Sequence, residues 1–411
     1  MYLLGRRVNN LIKKSLSRFE WLDLVSKITF VRLSQAVFKV RYGHVSVDKD
    51  RVIFEVFNGR NVSDSPLALF KELYERRPEL NFVWVLDSPN NQNLEWIKSH
   101  TNTTVVYYGT NEYYREYARC HYWIVNCRLP FKIVKKSTQK YIQCWHGTPL
   151  KKLGHDITVE RYSLSSSKGL CYSYNVDSSR YDYFISPSPY ATSKFCSSFN
   201  IEKDKIIELG YPRNDILAKG SEVDRDFFLK KKLGLPLDKT IVLYAPTWRD
   251  NQKVKEATYR FSNSLDCEDF LNNFDSNYIF LFRGHYFVDS LMVSNSFIDV
   301  SHINDINDLL LVTDILITDF SSVFFDFSIL KRPVLFYMPD RESYENDVRG
   351  FYLDVDKDLP GKVIDDMEVL SRAIKNCKPS SDLESFNLCF NPFEDGHSSL
   401  RVLKKIGLIN E

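Results

Sequence analysis

The chain has 411 residues, of which 44% are hydrophobic and 26% are charged. This composition excludes an intrinsically disordered protein, and the length favours two domains of about 150 to 200 residues each over one hydrophobic core. The eight cysteines form no Cys-x-x-Cys pair, which disfavours a disulfide framework and a zinc site, and no apolar run is long enough to cross a bilayer.

The net charge of +2 conceals a strongly basic N-terminal segment, residues 1–44. Nine Lys and Arg side chains against two acidic ones give this segment a local charge of +7. On a helical wheel, apolar and basic side chains gather on opposite sides: Leu4, Val8, Leu11, Ile12, Leu16 and Phe19 against Arg6, Lys13, Lys14 and Arg18. The pattern predicts a helix on the surface of an anionic membrane, although an amphipathic helix packed on its own domain shows the same periodicity. Nucleic acid is disfavoured as a partner, because no basic stripe interleaved with aromatic residues continues into the rest of the chain.

Beyond this segment, apolar runs typical of strands alternate with helical segments. The first series of runs occupies residues 51–57, 82–86, 104–108, 122–125, 141–144, 183–186 and 206–211. The second series occupies residues 240–244, 278–282, 298–300, 315–318 and 333–337. Such alternation predicts an α/β protein with two doubly wound parallel sheets that face a cleft, and ligands bind such sheets at the carboxyl ends of the strands.

The two series define the predicted domain organisation. We expect a membrane-association segment at 1–44, an N-terminal Rossmann-like domain at 45–212, a C-terminal Rossmann-like domain at 213–390, and a last helix within 391–411 that returns to the first domain. A polar, serine-rich stretch at 163–180 predicts a mobile connection inside the first domain.

A histidine marks the end of one strand of the first domain. His146 follows the apolar run at 141–144 and precedes Gly147, which allows a sharp turn and close approach of a substrate. Pro149 then suits the first turn of a helix. An imidazole at a strand end is well placed to exchange protons near neutral pH, although a histidine that only caps a turn has the same sequence context.

Three strand ends of the second domain carry polar and basic residues. They are the segment from Tyr244 through Thr247 to Arg249, the segment Arg283–His285, and the segment from Asp319 to Ser321 and Ser322. Two arginines, an imidazole, hydroxyl groups and a helix start suit a pyrophosphate, because anions bind to free backbone N–H groups and cations. Plain helix capping is the alternative for Asp319 and Ser321. Asp326 lies one turn further on, either near a ribose hydroxyl or facing solvent.

Other common nucleotide and metal signatures do not occur. The chain contains neither a Walker loop nor a Gly-x-Gly-x-x-Gly fingerprint, which disfavours a P-loop NTPase and a dinucleotide enzyme. Four Asp-x-Asp triplets stand away from the other candidate residues, and we interpret them as surface charge. We therefore expect no cofactor and assign no metal ligands, and dependence on a divalent metal stays open. If no metal binds, charge on a departing nucleotide would be met by Arg249, Arg283, His285 and the helix start.

Several of these segments together closely resemble the CDP-glycerol glycerophosphotransferases of wall teichoic acid synthesis. The likeness runs from about residue 52 to residue 354. The segments that carry it are Asn58–Gly59, Ser63–Pro66, Trp123–Pro130, Gln143–Gly154, Gly210–Asp215, Tyr244–Asp250, Ile317–Phe327 and Arg349–Tyr352.

The resemblance implies a GT-B architecture, attachment to the cytoplasmic face of the plasma membrane, and transfer of a phospho-alditol from a CDP-alditol to a lipid-linked saccharide or teichoic acid acceptor. It implies two catalytic histidines, His146 as the general base and His285 at the donor diphosphate. The implied donor-phosphate residues are Thr247, Arg249, Arg283, Ser321 and Ser322, the nucleoside residue is Asp326, and the acceptor residues are Asn58, Gly59, Asp64, Gly147 and Thr148. Many relatives have proline after the second histidine, whereas this chain has Tyr286.

Several alternatives stay open at this point. CDP-ribitol could replace CDP-glycerol as the donor, and a nucleotide-sugar glycosyltransferase could use the same scaffold. A catalytically silent membrane protein is a further alternative, which the presence of both histidines disfavours. The sequence does not decide between a primase and a polymerase, between wall teichoic acid and capsular polymer, or between oligomeric states.

Overall fold

A computed structural model of the chain describes residues 19–157, 165–220, 223–247, 253–255, 258–259, 265, 268–284, 297–341 and 350–410. These residues form two compact units. The first unit comprises the described residues up to His146, together with Lys152–Arg213 and the chain from His397 onward. The second unit comprises Asn214–Gly396 and the short segment Gly147–Lys151, which the sequence assigns to the first domain.

The first unit is built on a seven-stranded sheet. Its elements before residue 214 are α1 (Glu20–Tyr42), β1 (Asp48–Glu55), α2 (Asp64–Arg76), β2 (Asn81–Leu86), α3 (Leu94–Lys98), β3 (Thr103–Tyr107), α4 (Asn111–Arg119), β4 (Cys120–Val125), β5 (Lys140–Gln143), α5 (Ser167–Ser178), β6 (Tyr183–Ser186), α6 (Pro189–Phe199) and β7 (Ile206–Glu208). The strands lie in the order β3-β2-β1-β4-β5-β6-β7, and every neighbouring pair is parallel.

The second unit is built on a six-stranded parallel sheet. The remaining elements of the chain are α7 (Asp215–Ala218), α8 (Val223–Lys232), β8 (Thr240–Ala245), β9 (Lys253–Lys255), β10 (Thr258–Tyr259), α9 (Glu268–Leu271), β11 (Tyr278–Phe282), β12 (Ile298–Asp299), α10 (Ile306–Val312), β13 (Ile315–Thr318), α11 (Val323–Ser328), β14 (Val334–Tyr337), β15 (Lys362–Ile364), α12 (Met367–Asn376), α13 (Leu383–Phe390) and α14 (Ser398–Lys405). The sheet has the order β12-β11-β8-β13-β14-β15, whereas β9 and β10 form a separate antiparallel pair. Helix α14 belongs to the first unit.

Each large sheet reverses its strand order at one point. In the first unit the reversal lies between β1 and β4, and in the second it lies between β8 and β13. Loops at the carboxyl ends of the strands on either side of such a reversal diverge and leave room for a ligand. The predicted fold class of two doubly wound parallel sheets is confirmed, and its topology singles out one strand edge in each unit.

Central strands of both sheets are apolar on both faces, as parallel strands covered by helices on two sides require. Val52, Ile53 and Phe54 of β1 are completely buried. Phe54 packs between Phe70 of α2 and Trp84 of β2, with ring centroids 5.5 and 5.1 Å apart. The loops that follow these strands therefore rest on a rigid base.

Residues 165–180, the described part of the stretch predicted to be a mobile connection at 163–180, are instead largely helical, so the prediction of a loop there is wrong. Ser166 caps α5 by accepting a hydrogen bond from the Gly169 N–H at 3.1 Å. Both the N–H and the hydroxyl of Ser166 donate to the buried carboxylate of Asp23 in α1, at 2.8 and 2.7 Å. Serine-rich composition alone suggested a loop, because the anchoring carboxylate lies far away in the sequence.

Helix α1 is the described part of the basic N-terminal segment. Val31 and Phe38 are buried against the first unit, whereas several other apolar side chains of the helix face solvent. The predicted helical wheel of residues 1–18 lies outside the described residues. Among the described residues, no helix combines the length and the apolar character that crossing a bilayer requires.

Candidate active site

In the first unit, the candidate site lies at the carboxyl ends of β1, β4 and β5. The turn after β1 forces Phe57 and Asn58 into the left-handed region, with φ values of 47° and 60°, and Trp145 after β5 has a φ of 50°. Gly59 has a φ of 84°, and a Cβ there would lie 2.5 Å from the carbonyl carbon of Leu86, so only glycine fits. Left-handed conformations at non-glycine residues are costly and concentrate at functional sites.

The structure places His146 at this edge, where the sequence predicts a catalytic base. The residue keeps part of its surface in contact with solvent, whereas its ring packs between Trp145, stacked at 4.3 Å, and Phe57 at 5.6 Å. The Nδ1 atom lies 2.7 Å from the main-chain oxygen of Asn126. Because a carbonyl oxygen can only accept, Nδ1 must carry the hydrogen, and Nε2 of the neutral ring is then unprotonated. This tautomer is the one that a general base requires.

The surroundings also favour the neutral form of this imidazole. Crowding by protein atoms desolvates the ring and lowers the pKa of His146 below its ordinary value of 6.5. The hydrogen bond to Asn126 and the negative charge of Asp64 oppose this effect, whereas Arg213 and Arg128 add to it. At neutral pH the ring is therefore predominantly neutral and ready to accept a proton.

Asn126 follows β4 and is completely buried. Its Nδ2 donates to Asp64 Oδ2 at 2.9 Å, and its Oδ1 accepts from the Phe57 N–H at 3.0 Å. The other oxygen of Asp64 accepts from Arg213 Nη1 at 3.3 Å. Sequence reasoning did not select Asn126 as a site residue, although a polar residue directly after an apolar strand was an available signal.

The residues predicted to bind the acceptor have different surroundings. Asn58 is half-buried, and its Oδ1 accepts from Cys127 Sγ at 3.5 Å. Gly59 is buried, and the side chain of Asp64 is only 9% exposed and engaged as described above. The structure thus gives Gly59 and Asp64 supporting positions at this edge, and their contact with an acceptor stays a prediction.

Gly147 and Thr148, the other two predicted acceptor residues, belong to the second unit. A Cβ on Gly147 would lie 2.8 Å from Ser322 Oγ, so the glycine leaves room for that hydroxyl. Thr148 is buried. Its segment is held to the second unit by a hydrogen bond from the Tyr352 N–H to the Leu150 carbonyl at 2.9 Å.

In the second unit, the turns after β8 and β13 are joined by Asp319. The Thr247 N–H and hydroxyl both donate to Asp319 Oδ1, at 2.8 and 2.9 Å. Just before these turns, the Thr318 hydroxyl donates to the Ala245 carbonyl at 2.7 Å. The buried carboxylate of Asp319 therefore fixes Thr247, which is among the predicted phosphate-binding residues. The alternative of plain helix capping by Asp319 did not include this hydrogen bonding to a residue 72 positions away.

The two predicted serines lie at the start of α11. Ser321 Oγ accepts from the Val323 N–H at 3.3 Å, whereas the side chain of Ser322, the N-cap residue, makes no capping hydrogen bond. Arg283 follows β11 and donates from Nη1 to the Ile303 carbonyl at 2.8 Å. Burial lowers the pKa of Arg283, and the charge of nearby Asp305 opposes that effect.

Asp326 is buried inside the second unit and accepts a hydrogen bond from Asn214 Nδ2 at 3.0 Å. The alternative of a solvent-facing carboxylate is therefore wrong, and contact with a ribose stays a prediction. Arg249 and His285 lie outside the described residues, and so their predicted roles at the donor phosphates stay predictions.

Comparison with known proteins identifies the family. Residues 36–408 match the family model described as CDP-glycerol:poly(glycerophosphate) glycerophosphotransferase. A teichoic acid glycerol-phosphate transferase of Staphylococcus aureus is 36% identical, over 87% of this chain and 93% of its own length. A teichoic acid poly(glycerol phosphate) polymerase of Bacillus spizizenii is 37% identical, over 92% of this chain and 96% of its own length.

Further relatives named for ribitol phosphate are 29% to 31% identical over 67% to 68% of the chain. Among solved structures, the wall teichoic acid polymerase TagF is 32% identical with a TM-score of 0.81, and the likeness covers 97% of both chains. This likeness agrees with the predicted GT-B fold class. The chain belongs to the CDP-glycerol:poly(glycerophosphate) glycerophosphotransferase family.

Proposed function

We propose that this protein transfers glycerol phosphate from CDP-glycerol to a hydroxyl group of a lipid-linked saccharide or teichoic acid acceptor and releases CMP. The proposal is supported by membership of the family and by the higher identity to relatives named for glycerol phosphate than to those named for ribitol phosphate. The single observation that carries the chemistry is the hydrogen bond from His146 Nδ1 to the Asn126 carbonyl, because it leaves Nε2 free to accept a proton.

In this reaction the acceptor oxygen attacks the phosphorus atom bonded to glycerol. The bond between that phosphorus and the oxygen of CMP breaks, and the acceptor proton passes to Nε2 of His146. The transition state of such phosphoryl transfers is largely loose, so positioning and charge stabilisation supply most of the acceleration. A general base typically contributes about 10² to 10⁴-fold.

Negative charge on the diphosphate and on the departing CMP has to be met by donors and cations. Among the described residues, we assign the binding of the donor phosphates to Thr247, Arg283, Ser321 and Ser322. Arg249 and His285 complete the assignment. Asp319 supports it indirectly, since its carboxylate accepts both hydrogen bonds of Thr247 and so orients that residue.

The proposed place of action is the cytoplasmic face of the plasma membrane, with α1 lying on the lipid surface. An apolar stripe of this helix faces away from the rest of the first unit. Its members are Phe30 (63% exposed), Leu33 (63%), Val37 (57%) and Val40 (83%). The exposed cations Arg32, Lys39 and Arg41 also lie on the helix. Apolar side chains with neighbouring cations suit the headgroup region of an anionic leaflet.

A donor panel tests the proposed reaction. Purified protein is supplied with CDP-glycerol, CDP-ribitol or UDP-sugars and a lipid-linked saccharide acceptor, and the released nucleotide (CMP or UDP) and product length are measured with and without EDTA. We expect CMP from CDP-glycerol only and loss of most turnover in His146→Ala. Turnover of CDP-ribitol alone would move the assignment to ribitol phosphate, and turnover of UDP-sugars alone would identify a glycosyltransferase.

A sedimentation assay with lipid vesicles tests the proposed location. We expect the protein to bind vesicles that contain anionic phospholipid more tightly than purely zwitterionic ones. The double substitution Leu33→Glu with Val37→Glu should abolish this binding, whereas Leu388→Glu, at a 73% exposed leucine of the second unit, should leave it intact. Equal binding by all variants would contradict the role of α1.

A further inference from the structure

We propose that Asn126, held by Asp64, is a positioning residue that fixes the tautomer and the orientation of His146. The inference rests on the proposed function, in which His146 is the general base. It concerns a residue that touches neither donor nor acceptor in that proposal and acts through its main-chain carbonyl on the imidazole.

Asn126 links three parts of the site. The main-chain oxygen of Asn126 accepts from His146, its side-chain oxygen accepts from the Phe57 N–H, and its side-chain nitrogen donates to Asp64. Phe57 in turn packs against the imidazole ring. Any shift of Asn126 therefore moves both the acceptor of the Nδ1 hydrogen and one wall of the ring.

The side-chain amide of Asn126 has only one orientation that satisfies both of its partners. The group that faces Phe57 meets a main-chain N–H, so it must be an acceptor. The group that faces Asp64 meets a carboxylate oxygen, so it must be a donor. Asparagine offers one of each at this spacing, whereas aspartate would place two carboxylates against one another and alanine would leave the Phe57 N–H without this acceptor.

Asp64 is itself held in place by hydrogen bonds and by its backbone conformation. Its Oδ1 accepts from the Ser65 N–H and from Arg213, whose side chain is 5% exposed. Its backbone is held in the left-handed region, with a φ of 60°, at the start of α2. A charged hydrogen bond from a rigid partner holds the amide of Asn126 more firmly than a neutral one would.

This pattern of donors and acceptors predicts that two single substitutions fail and that their combination succeeds. Asn126→Asp faces Asp64 with a second carboxylate. Asp64→Asn produces a contact between two donors in every orientation of the two amides. With both substitutions present, the carboxylate lies at position 126 and the amide at position 64, so that Phe57, Ser65 and Arg213 all regain acceptors while the total charge is unchanged.

The experiment compares the two single variants and the double variant with the wild-type enzyme. At saturating acceptor, so that any contact of Asp64 with the acceptor affects only KM for the acceptor, we expect kcat to fall about 10 to 100-fold in each single variant and to return to within about threefold in the double variant. KM for CDP-glycerol should change less than about twofold throughout. The control Asn376→Asp, an exposed asparagine in the second unit, should leave kcat unchanged. Thermal unfolding of each variant shows whether it remains folded.

A second measurement reads the tautomer without reference to activity. In protein labelled with ¹⁵N-histidine, the resonances of His146 are those that vanish in His146→Ala. We expect Nδ1 to be protonated in the wild-type and double-variant rings, and a mixture of the two tautomers in each single variant.

If the single variants are folded and show the wild-type tautomer of His146 and the wild-type kcat, the positioning role is overturned. It is also overturned if kcat of the double variant is as low as kcat of the single variants. If the tautomer changes as expected but no donor releases CMP in the wild-type enzyme, the proposed function fails while the positioning of His146 stands.

Discussion

Replacing Glu55 by glutamine should flatten the dependence of the free energy of unfolding on pH. Glu55 ends β1 and is completely buried, and its Oε2 accepts a hydrogen bond from the Tyr117 hydroxyl at 2.5 Å. Burial raises the pKa of Glu55 from 4.5 to about 7. The hydrogen bond from Tyr117 and the nearby hydroxyl group of Tyr113 oppose the rise, and the charge of Asp177 adds to it.

The direction of this pH dependence follows from proton binding to Glu55 in the folded and unfolded states. Between pH 4.5 and about 7 the folded state keeps the Glu55 proton while the unfolded state loses it, so stability falls as the pH rises through this window. At about 1.4 kcal/mol per pKa unit, the separation between the two values corresponds to a loss of roughly 3 kcal/mol. Glutamine has no proton to lose and should remove this slope.

The assay is urea unfolding followed by tryptophan fluorescence at several pH values from 4.5 to 8. The control is Glu95→Gln, because the side chain of Glu95 is 84% exposed. We expect the control to follow the wild-type curve and Glu55→Gln to lose less stability than both as the pH rises from 4.5 to about 7. Parallel curves for all three proteins would refute the reasoning.

Three further predictions concern catalysis. Gly147→Ala should raise KM for CDP-glycerol several-fold, because the added methyl group would lie 2.8 Å from Ser322 Oγ, and unchanged donor kinetics would remove Ser322 from the donor site. Asp319→Ala should raise the same KM about tenfold or more, since Thr247 loses the acceptor of two hydrogen bonds, and calorimetric titration with CDP-glycerol checks it. The lowered pKa of His146 predicts that the acid limb of the pH profile of kcat/KM has its midpoint below 6.5, because the neutral ring is the active form; a midpoint above 6.5 would contradict this.

Much of the fold was predictable because parallel strands covered on both faces need continuous apolar runs. The two strand series found in the sequence correspond to β1–β7 and to β8, β11, β12, β13 and β14. The edge strand β15, Lys362–Ile364, was missed because it has only two apolar residues and directly follows Pro360 and Gly361, which are typical of a turn. Helix α5 was missed because its cap depends on Asp23, more than a hundred residues away.

The candidate site was predictable in part for a similar reason. Histidine, glycine and hydroxyl residues at strand ends form a local pattern, and the topology then gathers strand ends at one edge of each sheet. The partners that orient His146 were not predictable, since the hydrogen bond between Asn126 and Asp64 joins residues 62 positions apart. Whether a polar residue after a strand contacts substrate or supports a neighbour depends on pairings that no local pattern contains.

The general base is tested most directly by single-turnover release of CMP with saturating CDP-glycerol and acceptor, compared between the wild-type enzyme and His146→Ala. Binding of CDP-glycerol to both proteins is measured in parallel by calorimetry. We predict a rate lower by about 10² to 10⁴-fold in the variant, with a Kd for CDP-glycerol within about twofold of the wild-type value. Equal rates of CMP release from the two proteins would contradict the assignment of His146 as the base.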